Sequence, residues 1–247
     1  MLRGIYIAAA GMDAEQTRAR VLANNVANLA TPGYRRETVT FAPFLTHALY
    51  RYGEGPPAPV GRHHLGVAVA GVVTDFSPGP LAATGDAHHV AIAGEGFFAV
   101  ETPDGEAYTR DGTFLVDAEG YLATPAGHRV LGEGGPVQVG GPFTISPDGE
   151  VIAGGETVAT LRVTAFDNPG ALVKVGENLF TDPGGAGARP AENVRLLQGW
   201  LEQANTDLAQ EMTDLLAATR SYQAAQRLVH AHDQLLGRLV NEVGNVR

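Results

Sequence analysis

Nucleophiles are scarce in this chain. It holds no cysteine, and its three serines, Ser77, Ser146 and Ser221, lie in no G-x-S-x-G turn, so acyl-transfer chemistry has little to work with. Six of the eight histidines pair as His63-His64, His88-His89 and His230 with His232. Neighbours on a strand point to opposite faces, and residues two apart on a helix diverge by about 200°, so no pair forms a chelate by itself. "GEGFF" at 94–98 is a fragment of a G-x-G loop with no helix after it, and reads instead as the turn of a β-hairpin. Asp111 and Asp117 stand at turns without the acidic ladder of a calcium loop. No catalytic, cofactor-binding or metal-ligating residue is nominated, and no enzyme is expected. The polar residues that do stand out are amides: Asn24, Asn25 and Asn28 in "VLANNVANLATPGYRR", just before Thr31-Pro32-Gly33. Asparagine competes for backbone hydrogen bonds, Pro32 disfavours helix at Thr31 and Gly33 permits positive φ, so this cluster reads as a joint.

A joint needs elements on either side, and the ends of the chain supply helices. Leu2, Ile5, Ala9, Met12, Gln16, Ala19, Ala23 and Val26 recur at steps of three and four, the seam of a helix lying along another helix. At the other end Leu201, Leu208, Leu215, Tyr222, Val229, Leu236 and Val243 hold a period of seven. Beside them run Asn205, Met212, Thr219, Gln226, Asp233 and Val240 on one flank, and Ala204, Ala218, Ala225 and Leu239 on the other. The spacing predicts helices over about 3–29 and 200–243. Neither buries its seam alone, so Ile5, Met12, Ala19 and Val26 should face Leu208, Leu215, Tyr222 and Val229.

The middle is punctuated every 8–12 residues or so by turns such as Ser77-Pro78-Gly79, Pro103-Asp104-Gly105 and Pro147-Asp148-Gly149. Between them lie "VAIA", "GFFAV" and "TFLV", short β-branched and aromatic runs that predict an antiparallel β domain. In "VATLRVTAF", apolar Ala159, Leu161, Val163 and Ala165 alternate with Thr160, Arg162, Thr164 and Phe166, as in one strand with one face buried. The fold class expected is α+β, with the terminal helices paired as a coiled-coil-like unit around a central antiparallel β-rich domain. Residues 1–40 with 195–247 form the helical part, 41–74 a connector and 75–194 the β domain.

Of the 247 residues 44% are apolar, enough for a core, and no apolar run reaches the roughly 20 residues that span a bilayer. The start, "MLRGIYIAAAGMDAEQ", turns acidic too early for a cleaved secretory signal. The formal charge of −10 sits in the middle: residues 51–200 carry −10, against +2 for 1–50 and −2 for 201–247. With Lys174 the single lysine, no basic face is available to a nucleic acid.

"ANNVANLATPGYRR" resembles the N-terminal signature of the flagellar basal-body rod and hook proteins, in which Asn24, Asn25, Ala27, Asn28, Thr31, Pro32, Gly33, Tyr34 and Arg35 all stand where the pattern has them. "VAIAGEGFFAVETPDGEAYTRDGTFLVDAEGYLAT" is similar to the family's central β signature and "GWLEQANTDLAQEMTDLLAATRSYQAAQRLV" to its C-terminal one. "GHRVLGEGGPV" looks more like the proximal-rod than the distal-rod subunit type, and Ala204 departs from the serine the family often carries. The resemblance implies a subunit of the rod, the drive shaft between motor and hook. It would leave the cell through the flagellar type III export apparatus without cleavage and cross the periplasm among copies of itself and other rod and hook subunits. The resemblance makes Asn24, Asn25, Asn28, Thr31, Pro32, Gly33 and Tyr34 an assembly motif, needs no cofactor, and places paired terminal helices inside with the β domain outside. The rival reading is a carbohydrate-binding or adhesin-like β domain on a helical stalk, which glycan binding would reveal.

Overall fold

The computed structural model describes residues 2–51, 58–192 and 194–244, and the side chains of Leu2, His63, Glu242 and Val243 lie outside the described residues. The chain divides into two compact units, one of Met1–Val26, Glu37–Val73 and Asp207–Arg247, the other of Ala27–Arg36 and Thr74–Thr206. It is an α+β chain, with one long helix near each end and antiparallel strands between.

In the first unit, helix α1 spans Leu2–Ala27 and α2 spans Leu208–Gly244. The 37 residues of α2 make a rod of roughly 55 Å. Asp207 caps it, its Oδ1 accepting from the N–H groups of Ala209 (2.8 Å) and Gln210 (3.2 Å). The helix does not begin near residue 200: Arg195–Gln198 and Trp200–Glu202 are strands, and Leu201 is buried on the strand, paired with Ala82. The seven-residue period runs through Leu201 by coincidence of spacing, because the Asp207 cap fixes where helical hydrogen bonding starts.

Among the described residues, α1 meets α2 near both of its ends and in between. A Cβ on Gly4 would stand 2.9 Å from His232 Nε2, Arg18 Nη2 donates to Asp214 Oδ1 (3.2 Å), and Asn25 Nδ2 donates to Glu211 Oε2 (3.1 Å). As the number rises along α1 it falls along α2, so the two run antiparallel. On α2, Glu211, Leu215, Ala218, Tyr222, Ala225, Val229, His232 and Leu236 are buried or half-buried at steps of four and three, whereas Leu208, Met212, Thr219, Gln226, Asp233 and Val240 are exposed. On α1 the most covered residues are Ala8, Ala14, Leu22 and Asn25; Ile5, Met12, Ala19 and Val26 are half-buried, and Ala9, Gln16 and Ala23 are exposed. The covered face is thus turned from the expected one. The α1 residues that meet α2, Gly4, Arg18 and Asn25, share the stripe of Ala8 and Leu22, one residue off the expected seam. Gly66 lies on another side of α1, where a Cβ would come within 3.2 Å of the Ala10 Cβ.

Residues 41–74 are more than a connector. Glu37–Pro43 pairs with Val67–Thr74, and Thr46–Arg51 pairs antiparallel with Ala58–His64. The second pair is exposed on both faces, so no alternation of apolar and polar residues marks it in the sequence.

The second unit is built on a ten-stranded sheet whose centre is Phe97–Thr102, hydrogen-bonded to Gly105–Thr109, Arg129–Gly132 and Val163–Phe166. Both faces of that strand are covered. Phe98 and Val100 enter one cluster with Val90, Phe114, Leu122 and Val130; Phe97 and Ala99 enter another with Tyr108, Phe166 and Phe180. "VATLRVTAF" is two strands rather than one: Glu156–Thr160 closes a three-stranded sheet, and Val163–Phe166 joins the large one with Thr164, Ala165 and Phe166 all buried. Nor is "GEGFF" a hairpin, because Val90–Ala93 pairs with Arg195–Gln198 and not with Phe97–Thr102. Gly94 and Gly96, at φ of 136° and 124°, carry the chain from one sheet to another.

Candidate functional site

The asparagine cluster splits at the end of α1. Asn24 is exposed on the helix, Asn25 is fully buried, and Asn28 lies just past the last helical residue. Asn25 treats Glu37 as a strand neighbour would: its Nδ2 donates to the Glu37 carbonyl (2.8 Å), and its Oδ1 accepts from the Glu37 N–H (3.0 Å). The second amide hydrogen reaches Glu211 Oε2 on α2. One side chain thereby ties α1, the first strand and α2 together within the first unit, and only an amide has both donors and the acceptor.

Asn28 begins the part of the signature that belongs to the second unit. Its Oδ1 accepts from Thr31 Oγ1 (3.2 Å) and its carbonyl from the Thr31 N–H (3.0 Å), forming the turn that Pro32 and Gly33 follow. Gly33 has φ of 64° and donates to the Glu202 carbonyl (2.7 Å); a Cβ there would lie 2.4 Å from the Arg110 carbonyl carbon, so only glycine fits. Tyr34 is buried beneath Lys174, whose Nζ stands 4.2 Å from the ring centroid.

Arg35 leads to the centre of the site. Its Nη1 meets Glu202 Oε1 at 2.7 Å and donates to the Ser77 carbonyl (2.9 Å). Glu202 Oε2 takes Arg110 Nη1 at 3.0 Å, and Oε1 also accepts from the Gly79 N–H (2.8 Å). Arg110 donates further to the carbonyls of Ile92 (3.3 Å) and Gly94 (2.6 Å), and lies 5.4 Å from the Phe97 ring centroid. Arg35, Arg110 and Glu202 are 0, 5 and 2% exposed. Burial pulls the Arg110 guanidinium down to about 10, against the pull of Glu202. Three residues on, Asn205 draws the same segments together. Its Oδ1 accepts from the Arg36 N–H (2.7 Å), and its Nδ2 reaches the carbonyls of Asp75 and Ser77, both at 2.9 Å.

The three signature segments named from the sequence therefore meet at one carboxylate, through Arg35 of the first, Arg110 of the second and Glu202 of the third. The amide, Thr, Pro, Gly and Tyr residues are visible in the motif; Glu202, Arg110 and Glu211 carry no motif signal, Asn205 stands in the sequence only as a flank of the helix seam, and Lys174 only as the single lysine. Glu202 carries one local signal, an acid set between Leu201 and Ala204. The helix residues Ile5, Met12, Val26, Leu208, Leu215, Tyr222, Val229 and Leu236 belong to the first unit and take no part in this node, while Leu201 belongs to the second. Among the described residues no group of three or more His, Asp or Glu side chains could hold a metal ion.

Chemically the node is framework: its charges engage one another and backbone carbonyls, and it defines a class of chain in which dispersed signatures fix a fold. Matches to known families follow the same three segments. Residues 5–35 match the flagella basal body rod protein family, 91–153 the flagellar hook protein FlgE/F/G D1 domain, and 197–242 the flagellar basal body rod FlgEFG protein C-terminal family. The chain belongs to the flagellar basal-body rod protein family, in its FlgF/FlgG-like branch. It is 32% identical to the flagellar basal-body rod protein FlgG of Bacillus subtilis, over 98% of this chain and 99% of that one. In Caulobacter vibrioides it is similar to both FlgG (32%, covering 95% of this chain and 97% of the relative) and FlgF (30%, 92% and 91%). These near-equal identities give no preference to either type.

Proposed function

We propose that the chain is a structural subunit of the flagellar basal-body rod, without enzymatic activity, and that it polymerises with copies of itself and with other rod and hook subunits. The observation that carries this reading beyond family membership is on α2. Met212, Leu216, Leu228, Leu235 and Val240 are between 50% and 71% exposed, on a helix whose other side already meets α1. A lone soluble helix pair has little reason to keep so many large apolar side chains in water, whereas a subunit that gains further helices on assembly does.

On this reading α1 and α2 pair as a coiled coil and serve the axial role expected of the chain's ends, whose residues 27–36 and 195–206 belong instead to the second unit, and that β unit serves the outer role. The Asn24–Tyr34 motif holds the chain where it passes between those roles. Export through the type III apparatus without cleavage, and a place in the periplasm-crossing shaft, follow from the same family reading. Imaging of isolated basal bodies carrying a labelled copy tests it: label is expected along the rod, and a strain lacking the chain should not swim. Label confined to the cell envelope away from basal bodies, or normal swimming of the null strain, would refute it.

A further inference from the structure

Residues 174–178 lie outside all three family-matched segments, yet two of their side chains hold the first signature. Strands Val173–Gly176 and Leu179–Thr181 are joined by Glu177 and Asn178, at φ of 48° and 58°. Two consecutive positive φ angles make a type I′ hairpin turn, for which Asn-Gly is the favoured pair. Here the second place is Asn178, so the turn keeps a side chain at a position where glycine fits with less strain. That side chain has work to do: Nδ2 donates to the Pro32 carbonyl (2.9 Å). The backbone beneath it is fixed, because Thr109 Oγ1 donates to the Asn178 carbonyl (3.0 Å). Four residues earlier Lys174, the chain's single lysine, sets its ammonium 4.2 Å from the centroid of the buried Tyr34 ring.

We infer that this turn is a clamp on the signature loop, and that Lys174 and Asn178 are positioning residues for Pro32–Tyr34, Lys174 through its charge. The inference rests on the loop being an assembly element only for its biological meaning; the clamp is a statement about the loop itself. The attraction of a cation to a ring face depends on charge and survives methylation or replacement by guanidinium, but not acylation. Asn178 acts instead through a hydrogen bond that glycine cannot replace.

The single lysine makes the test selective. Reductive dimethylation of the full-length protein keeps the Lys174 charge. Acetylation with an activated acetyl ester forms an amide bond, releases the ester's leaving group and one proton, and abolishes the charge. Hydrogen exchange at the Gly33 and Tyr34 amides, which donate to Glu202 and Thr31, reads whether the loop is held. Acetylation should speed that exchange roughly tenfold, the scale of a partly desolvated cation–π contact, and dimethylation should leave it unchanged. A Lys174→Arg protein should keep full protection and be insensitive to acetylation, which controls for the α-amine. Asn178→Gly should lose protection although it relieves the turn. Unchanged exchange after acetylation, or loss of protection in Lys174→Arg, overturns the clamp. Swimming by an Asn178→Gly strain whose loop exchange is raised would leave the clamp standing and count against the assembly reading of the loop.

Discussion

Removing the Glu202 carboxylate tests the node most directly. The residue is 2% exposed, and its oxygens take Arg35 at 2.7 Å, Arg110 at 3.0 Å and the Gly79 N–H at 2.8 Å. Glu202→Ala leaves two buried guanidinium groups without their counter-charge and the Gly79 N–H without its acceptor. Breaking a buried ion pair from one side typically costs about 3–5 kcal/mol, because the remaining charge stays desolvated and uncompensated. At about 3 °C per kcal/mol for a unit of this size, its melting point should fall by roughly 10–15 °C. Glu202→Gln should do nearly as badly, since its NH2 would face a donor whichever way the amide is turned. The single tryptophan, Trp200, lies on the same strand two residues away, so its fluorescence follows this unit's transition. Replacing all three members at once, by Arg35→Met, Arg110→Met and Glu202→Leu, should recover much of the loss, because a well-packed apolar set carries no desolvation cost. A fall below about 3 °C in Glu202→Ala would refute the view that the node holds the signatures together. So would a triple variant no better than the single one.

Asn25→Ala should lower the helical melting transition by about 1–3 kcal/mol, the cost of leaving buried partners unmet, and Asn25→Asp should lower it further by facing Glu211 with a second carboxylate. Glu211→Gln should relieve part of the Asp loss and none of the Ala loss; an Asp variant as stable as Ala would sink the assignment of the amide donors. Leu215→Asp, at a half-buried place facing α1, should cost about 2 kcal/mol or more in the helical signal, leave the Trp200 transition within about 2 °C, and abolish swimming. A swimming strain would refute the packed role of that helix. Burial, with Glu106 beside it, pushes the Tyr108 phenol up to about 12. An acid whose folded pKa is raised ionises first in the unfolded chain, so this residue's contribution to stability is lost as pH climbs from 10 towards 12. Phenolate absorbance, read as the difference from a Tyr108→Phe protein, should show Tyr108 titrating late and Glu106→Gln bringing it earlier; a Tyr108 that titrates near 10 would count against it.

What could be read from the sequence was local. Pro32 and Gly33 mark the chain just past α1 through backbone preferences that act within a few residues, and the turn at Asp117 forms as expected, its carboxylate accepting from the N–H groups of Glu119 and Tyr121. Asp111 accepts from the Thr113 N–H without forming a turn. Long-range pairing leaves no such trace. Nothing near Glu202 names Arg35 or Arg110 as its partners, and nothing near Tyr34 names Lys174. The strands at 37–74 escaped because Thr46–Arg51 and Ala58–His64 are exposed on both faces, so no burial imposes a period of two. The covered face of α1 differs from the expected one because Ala and Gly populate several of its stripes, so apolar spacing does not single one out.

The node also sets an order in time. Glu202 lies late in the chain, and a ribosome has released Arg35 and Arg110 long before it, so the growing chain carries two guanidinium groups meant for a dry interior with no counter-charge to receive them. The contact is among the most distant in sequence that the fold makes, and loop closure over such separations is slow. The β unit is therefore expected to condense only after synthesis reaches its last strand, as a single late event. A fragment ending at residue 199 should remain open to protease, however complete its other strands.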